Sequence, residues 1–124
     1  MPATYSIDLE QQVVYTVFSG EVVEAEVRTM ALRLGKDPNF QPDFSELLDL
    51  SAVTDFRIST EDLQGLSAVD PFSGRARRAF VSPGDLLFGI SRMYEGIRGS
   101  NAHIATFRTM GDARQWLDLD QRSA

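Results

Sequence analysis

The sequence contains no cysteine and only one histidine, and both scarcities exclude classes of protein. Without cysteine there are no disulfides, thiolate metal ligands or cysteine nucleophiles, so a secreted disulfide scaffold is not expected and the cytoplasm fits best. His103 has no second histidine or cysteine with which to form a zinc site, and no pattern places it beside a serine and an acid. We therefore expect no metal centre.

Long apolar runs and phosphate-binding glycine loops are also missing. No apolar stretch approaches the roughly 20 residues that a bilayer-spanning helix needs, and residues 1–9 lack the pattern of a signal peptide. Gly89 and Gly96 follow neither the dinucleotide nor the P-loop order; they suggest a helix that closely approaches the sheet or a neighbouring helix. We expect no membrane span and no cofactor.

The composition is that of one globular domain. The 124 residues are 43% hydrophobic and 24% charged. A chain of this size and composition can form a hydrophobic core without disulfides or a structural metal. We predict a single domain over residues 1–120, with a short tail at 121–124. The net charge of −6 repels phosphate backbones, so nucleic acid is not expected as a partner.

Apolar residues follow a strand period at the start of the chain and a helix period after it. Thr4 to Leu9 and Val13 to Phe18 predict a β-hairpin. Ser19 and Gly20 then predict the start of a helix, and Gly35 predicts its end.

The rest of the chain repeats a strand followed by a helix. Phe44 to Leu50 predict a strand buried on both faces, and Ser59 caps the helix after it. The following elements are a strand over Ala79–Val81, a helix that starts at Ser82 and ends at Gly99, a strand over His103–Phe107 and a helix capped at Thr109. The order ββαβαβαβα predicts an α/β fold with parallel neighbours and one antiparallel edge strand.

Carboxyl ends of parallel strands share one border of a sheet, and ligands gather there beside helix N-termini. This border, the rim, is predicted at Ser51 to Ser59 and Ser82 to Asp85. Ser59 could accept a phosphate favoured by the helix dipole, although plain capping is the commoner role of such a serine. Asp49 lies in an apolar strand, where it could act as a base or, more commonly, accept backbone N–H groups.

Three arginines lie close together in the sequence, at Arg75, Arg77 and Arg78. Together they could bind an acidic partner or a phosphorylated ligand. Charged loop residues are also common as separate solvated side chains. The sequence leaves both interpretations open.

Several motifs carry a family resemblance. The stretch LLDLSAVTDFRIST, Leu47 to Thr60, resembles the core segment of STAS domains, the anti-sigma-factor antagonist family. The whole chain resembles the SpoIIAA-like group of small uncharacterised bacterial proteins. The motifs lie at Ser19–Val22, Glu46–Ser51, Val53–Phe56, Pro83–Gly89, Arg92–Glu95 and Ala113–Leu117.

The resemblance implies a mixed sheet of about five strands with four helices, packed mainly on one side. It also implies work through partner proteins, with a serine phosphorylation switch that falls on Ser59. The flanks depart from the family pattern, because Arg57 stands in place of an aspartate and Thr60 in place of a glycine. The resemblance therefore supports the scaffold more than the switch.

Three function classes follow from these observations. The first is a regulatory or protein-interaction module that uses the rim, and a homodimer through an edge strand or bare sheet face is open beside it. The second is a carrier of small apolar ligands or lipids, whose pocket would be lined by Phe56, Phe72, Leu86, Phe88 and Met93. An enzyme is least expected, because no acid and base pair, metal set or cofactor cradle is evident.

Overall fold

The computed structural model describes residues 3–119, so the predicted tail at 121–124 lies outside the described residues. Five strands and four helices follow the predicted order ββαβαβαβα. The strands are β1 (Ala3–Asp8), β2 (Val13–Val23), β3 (Ser45–Arg57), β4 (Arg77–Val81) and β5 (His103–Phe107). The helices are α1 (Glu24–Lys36), α2 (Thr60–Val69), α3 (Asp85–Arg98) and α4 (Met110–Trp116).

The strands form one sheet in the order β1-β2-β3-β4-β5. β1 is antiparallel to β2, and each later neighbour is parallel to the strand before it. Because β2 to β5 all point the same way, the four helices that follow them begin at one border of the sheet. The mixed sheet with an antiparallel edge strand is therefore confirmed, and the rim exists as a structural feature.

Two hydrophobic layers cover the two faces of the sheet. Leu48 of β3 pairs with Phe80 of β4, and both pack in a cluster with Met30 of α1. Leu47, which points to the opposite face, packs with Ala113 of α4. Successive strand residues thus supply both cores, which is why the adjacent Leu47 and Leu48 are both apolar.

The start of α1 differs from its prediction. β2 continues through Ser19 and Gly20 to Val23, and α1 begins at Glu24 without a side-chain cap. The extension pairs with β3, which runs past its predicted end at Leu50 to Arg57, with register shifts on both sides of Gly20, whose φ is 64°. Burial of Val22, which is 0% exposed, favours the strand over an early helix start.

The start of α3 was also predicted too early. Gly84, not Ser82, is the N-cap residue. The Ser82 backbone N–H donates to the Phe107 carbonyl at 2.9 Å, so the chain leaves β4 still bound to β5. The Ser82 side chain is fully buried, with its hydroxyl 3.2 Å from that of Ser91. A contact across the sheet therefore overrides the local Ser-Pro signal.

The other local helix signals are confirmed, except that α1 runs through the predicted end at Gly35 to Lys36. Ser59 caps α2 in a capping box with Asp62, and Thr109 accepts a hydrogen bond from the Asp112 backbone N–H at 3.2 Å. Gly99 ends α3 with a φ of 98°, in the region that favours glycine. These signals are satisfied within a few residues of the chain, so the sequence alone reveals them.

Gly20 gives a test of the bulged β2 extension. Gly20→Ala is expected to lower the free energy of unfolding by about 1–2 kcal/mol, because an L-residue at this positive φ is strained. The control is Gly111→Ala, at an exposed helical position where an added Cβ meets nothing within 4 Å. Urea unfolding should show the control as stable as the parent or more stable; equal effects of both substitutions would contradict the bulge.

Candidate functional site

A cavity of about 110 Å³ lies between the sheet and the helices α1, α2 and α3. Most of its lining is apolar and comes from all of these elements: Phe18, Val27, Met30, Leu34, Leu48, Leu50, Phe56, Leu63, Leu66, Leu87 and Ile90. Glu46, Asp70, Arg78 and Tyr94 also line it. The cavity therefore has apolar walls and one charged region.

The charged region is centred on Arg78, a buried residue of β4. Its Nη1 lies 2.7 Å from Asp70 Oδ2, and its Nη2 lies 3.0 Å from Glu46 Oε1. The three side chains are only 7%, 5% and 4% exposed. The guanidinium also lies over the Phe72 ring, 4.4 Å from its centroid. A buried cation is thus matched by two carboxylates and an aromatic face.

Three further side chains extend this network into neighbouring elements. The Tyr94 hydroxyl of α3 donates to Asp70 Oδ2 at 2.6 Å, and the Thr16 hydroxyl of β2 donates to Glu46 Oε2 at 2.8 Å. Arg98 donates to the carbonyls of Ser67 and Phe72. The network therefore joins three strands to the carboxyl ends of α2 and α3.

Burial and ion pairing shift the pKa values of the network's acidic groups in different directions. Burial raises the pKa of Glu46 even though Arg78 pairs with it. Burial alone would also raise the pKa of Asp70, but the adjacent Arg78 guanidinium and the Tyr94 hydroxyl hold it below its usual value. Burial and the Asp70 carboxylate raise the pKa of Tyr94. These groups satisfy one another, which is the arrangement of a structural anchor.

The sequence alone does not predict this network, although it carries a signal for it. Glu46 stands two residues before Leu48, and Arg78 stands two residues before Phe80. Because side chains alternate along a strand, Glu46 lies on the same face as Leu48, and Arg78 lies on the same face as Phe80. The register Glu46↔Arg78 then sets the opposite charges side by side. Only the pairing of β3 with β4 turns two isolated charges into an ion pair.

The rim collects most of the predicted contact residues. Ser51, Arg57, Ser59, Thr60 and Asp85 are all exposed there. Their hydrogen bonds are local or reach across the rim, so these side chains lie on the surface without forming a closed pocket. Ser51 and Arg57 both belong to β3 and lie six residues apart, so the predicted rim is drawn out along the extension of β2 and β3.

Arg57 and Ser59 each have local partners at the rim. Arg57 Nε lies 2.7 Å from Asp55 Oδ2 and 3.4 Å from Glu21 Oε2. The hydrogen bond to Asp55 raises the pKa of Arg57. Ser59 Oγ accepts from the Asp62 backbone N–H at 3.1 Å, and the Ser59 N–H donates to the Asp62 carboxylate at 3.2 Å. The serine hydroxyl is therefore engaged in capping.

The remaining rim residues have equally simple geometry. The Thr60 hydroxyl lies 3.7 Å from Met93 Sδ, which brings the start of α2 against the middle of α3. Asp85 Oδ1 accepts from Arg108 Nη1 at 2.6 Å. Asp49 Oδ1 accepts from the Ser51 backbone N–H at 2.9 Å, which is the structural alternative that the sequence left open. Ser82, expected on the rim surface, is instead in the core.

The three arginines do not converge. Arg75 is exposed in the loop before β4. Arg77 stacks on Trp116, 4.3 Å from the ring centroid, and donates to the Trp116 carbonyl at 2.6 Å. Arg78 lies in the core. Arg77 and Arg78 both belong to β4, and successive residues of a strand point to opposite faces, so a joint anion site of the three arginines is ruled out.

The predicted pocket lining is partly correct. Phe56 and Phe72 line the cavity. Leu86 and Met93 do not, being 75% and 44% exposed, and Phe88 lies instead against Arg108, 4.1 Å from ring centroid to guanidinium. The inward stripe of α3 contains the buried Ser91, which a hydrophobicity pattern does not reveal. The predicted face was therefore rotated by about one residue.

Clusters of metal-ligating side chains and membrane-spanning helices are both absent from residues 3–119. No group of three or more acidic or histidine side chains in this range is placed to hold a metal ion. None of the helices in the same range combines the length and the apolar character that crossing a bilayer requires.

The free energy of unfolding depends on pH through Asp70. Its lowered pKa contributes stability that is present above the unfolded-state value of about 3.9 and is lost as the pH falls through the folded-state value. Asp70→Asn is therefore expected to cost about 3 kcal/mol at neutral pH, with the difference from the parent shrinking below pH ~4. Urea unfolding at several pH values measures both.

The matched control for this prediction is Asp85→Asn, because the Asp85 side chain is 95% exposed. Its effect on the free energy of unfolding should stay within about 0.5 kcal/mol. A loss in Asp70→Asn that is the same at pH 2 as at pH 7 would contradict the ionised pairing of Asp70 with Arg78.

Comparison with known proteins identifies the fold. No protein-family model matches the chain, and a comparison with curated proteins finds no match. Among solved structures, an uncharacterised protein of the DUF3478 family from Shewanella loihica PV-4 superposes with a TM-score of 0.63. The two sequences are 18% identical, and the alignment covers 93% of each chain. That protein has a SpoIIAA-like fold, and this chain therefore adopts the SpoIIAA-like, STAS-like fold that its sequence motifs predicted.

Proposed function

We propose that this protein binds a small apolar molecule in the cavity between the sheet and α1 to α3. The observation that carries the proposal is the cavity itself, about 110 Å³ in volume with largely apolar walls. An apolar cavity of roughly 150 Å³ holds benzene in another protein, so this one suits a somewhat smaller group. The ligand is a small hydrocarbon-like molecule or the end of a longer alkyl chain.

The charged residues at the cavity favour an uncharged ligand. Arg78 is already matched by Glu46 and Asp70, and Tyr94 donates to Asp70. A charged ligand would leave a surplus charge in a buried place, which is costly. We expect no catalysis here, because the acids are committed to structural pairs instead of facing a reacting group.

Filling the cavity tests the proposal. Leu66, on α2, lines the cavity, and Leu66→Phe places a ring into the space. We expect ligand retention to fall at least tenfold while the free energy of unfolding changes by less than about 1.5 kcal/mol. Native mass spectrometry of freshly purified protein, followed by titration with short alkanes, measures retention.

The control for cavity filling is Leu32→Phe, the same substitution at a position on α1 that is 47% exposed. It should bind as the parent does. A parent that takes up none of these probes, or a Leu66→Phe variant that binds them equally well, would contradict a ligand role for the cavity.

A second candidate function is a regulatory or partner-binding module, favoured by the exposed polar residues on the rim. Ser51 and Arg57 on β3, Ser59 and Thr60 at the start of α2, and Asp85 at the start of α3 are all exposed. Partner contact is better supported than a phosphorylation switch, because a phosphate on Ser59 would oppose the Asp62 carboxylate and break the capping box. The cytoplasm remains the expected location.

Substitution of two exposed arginines tests whether the rim binds a partner protein. Arg57→Ala should reduce recovery of a partner protein from native cell extract at least tenfold, because exposed arginines are frequent contact residues. Arg75→Ala, at an arginine that is also exposed but precedes β4 and so lies away from the rim, should leave recovery unchanged. Quantitative mass spectrometry of the co-purified proteins measures both. Absence of any partner that depends on Arg57 would contradict this candidate.

A further inference from the structure

The outer face of α3 is unusual for the surface of a single domain. Leu86 is 75% exposed and Met93 is 44% exposed. Gly89 and Gly96 are also exposed and follow them at intervals of three residues. The spacing 86, 89, 93, 96 places the four residues in one stripe, the pattern with which one helix packs against another.

Nothing in residues 3–119 explains the two glycines. Glycine is a poorer helix former than any residue except proline. A Cβ added at Gly89 or Gly96 would meet nothing within 4 Å, so neither close approach to the sheet nor contact with a neighbouring helix requires them. The expectation that they allow close packing within the domain is therefore wrong. What they leave on the surface is two gaps, each beside a large apolar side chain.

We propose that this stripe binds the same stripe of a second copy of the chain, with the two α3 helices antiparallel about a twofold axis. Antiparallel alignment sets Leu86 opposite Gly96 of the partner subunit and Met93 opposite Gly89 of the partner subunit. Each large side chain then enters a gap that a glycine leaves, and the twofold symmetry makes all four contacts at once.

The charges of α3 favour a second copy as the occupant. The well-exposed charges of the helix are Asp85, which is 95% exposed, and Arg92, which is 64% exposed, so its surface charge is balanced although the whole chain carries −6. A strongly basic partner would find no excess of negative charge here, and a second acidic copy is not repelled at this face. Antiparallel packing also sets the positive end of one helix dipole beside the negative end of the other.

The length of α3 indicates how large the proposed dimer interface is. α3 has 14 residues and is therefore about 21 Å long. A single helix pair of this length lies at the low end of specific interfaces. The expected assembly is a dimer that forms with rising concentration and dissociates on dilution.

Sedimentation velocity of the full chain over a concentration series tests the dimer. Gly89→Leu and Gly96→Leu fill the gaps and should raise the dimer dissociation constant at least tenfold. Leu86→Asp should leave the protein monomeric throughout. Leu32→Asp, an equivalent change at an exposed leucine of α1, should dimerise as the parent does.

The thermal stability of the variants distinguishes a weakened interface from misfolding. Because the glycine positions are open and helical, leucine at either should leave the thermal midpoint of the dilute monomer unchanged or raise it. The combination of a retained midpoint and a weakened dimer supports the interface. A parent that stays monomeric at millimolar concentration overturns it, and so does a dimer that survives Leu86→Asp or both glycine substitutions.

Discussion

The buried guanidinium of Arg78 is the constraint on which the arrangement of this molecule depends. A charge withdrawn from water must be matched at close range, and removal of one partner costs far more than the pair contributes. Arg78 meets this requirement with Glu46 on the neighbouring strand and Asp70 at the end of α2. The register of β3 with β4 and the position of α2 against the sheet are thereby tied to a single side chain.

The same network explains why a cavity can persist beside it. α2 and α3 are held at their carboxyl ends, where Asp70 and Arg98 join the network. Towards the rim the two helices meet through weaker contacts, such as that between Thr60 and Met93. A rigid polar anchor at one end and apolar packing at the other leave room between the layers, because charged pairs cannot shift to fill it.

α3 serves two surfaces. Its inward side supplies Leu87 and Tyr94 to the cavity, whereas its outward side exposes Leu86 and Met93. Ser91 lies buried on the inward side because Ser82 provides its hydrogen-bond partner. The cavity and the proposed dimer face thus share one helix, so the second copy would cover the outer wall of the ligand site without entering it.

The sequence by itself determined the order of elements, the parallel sheet, and the helix ends at Ser59, Gly99 and Thr109, since periodicity and capping act within a few residues. Tertiary structure decided the remainder. Ser82 became core through its bonds to β5 and α3, and Arg77 and Arg78 separated to opposite faces of one strand. A capping signal is complete in local sequence, whereas the burial or pairing of a polar residue depends on what another part of the chain places beside it.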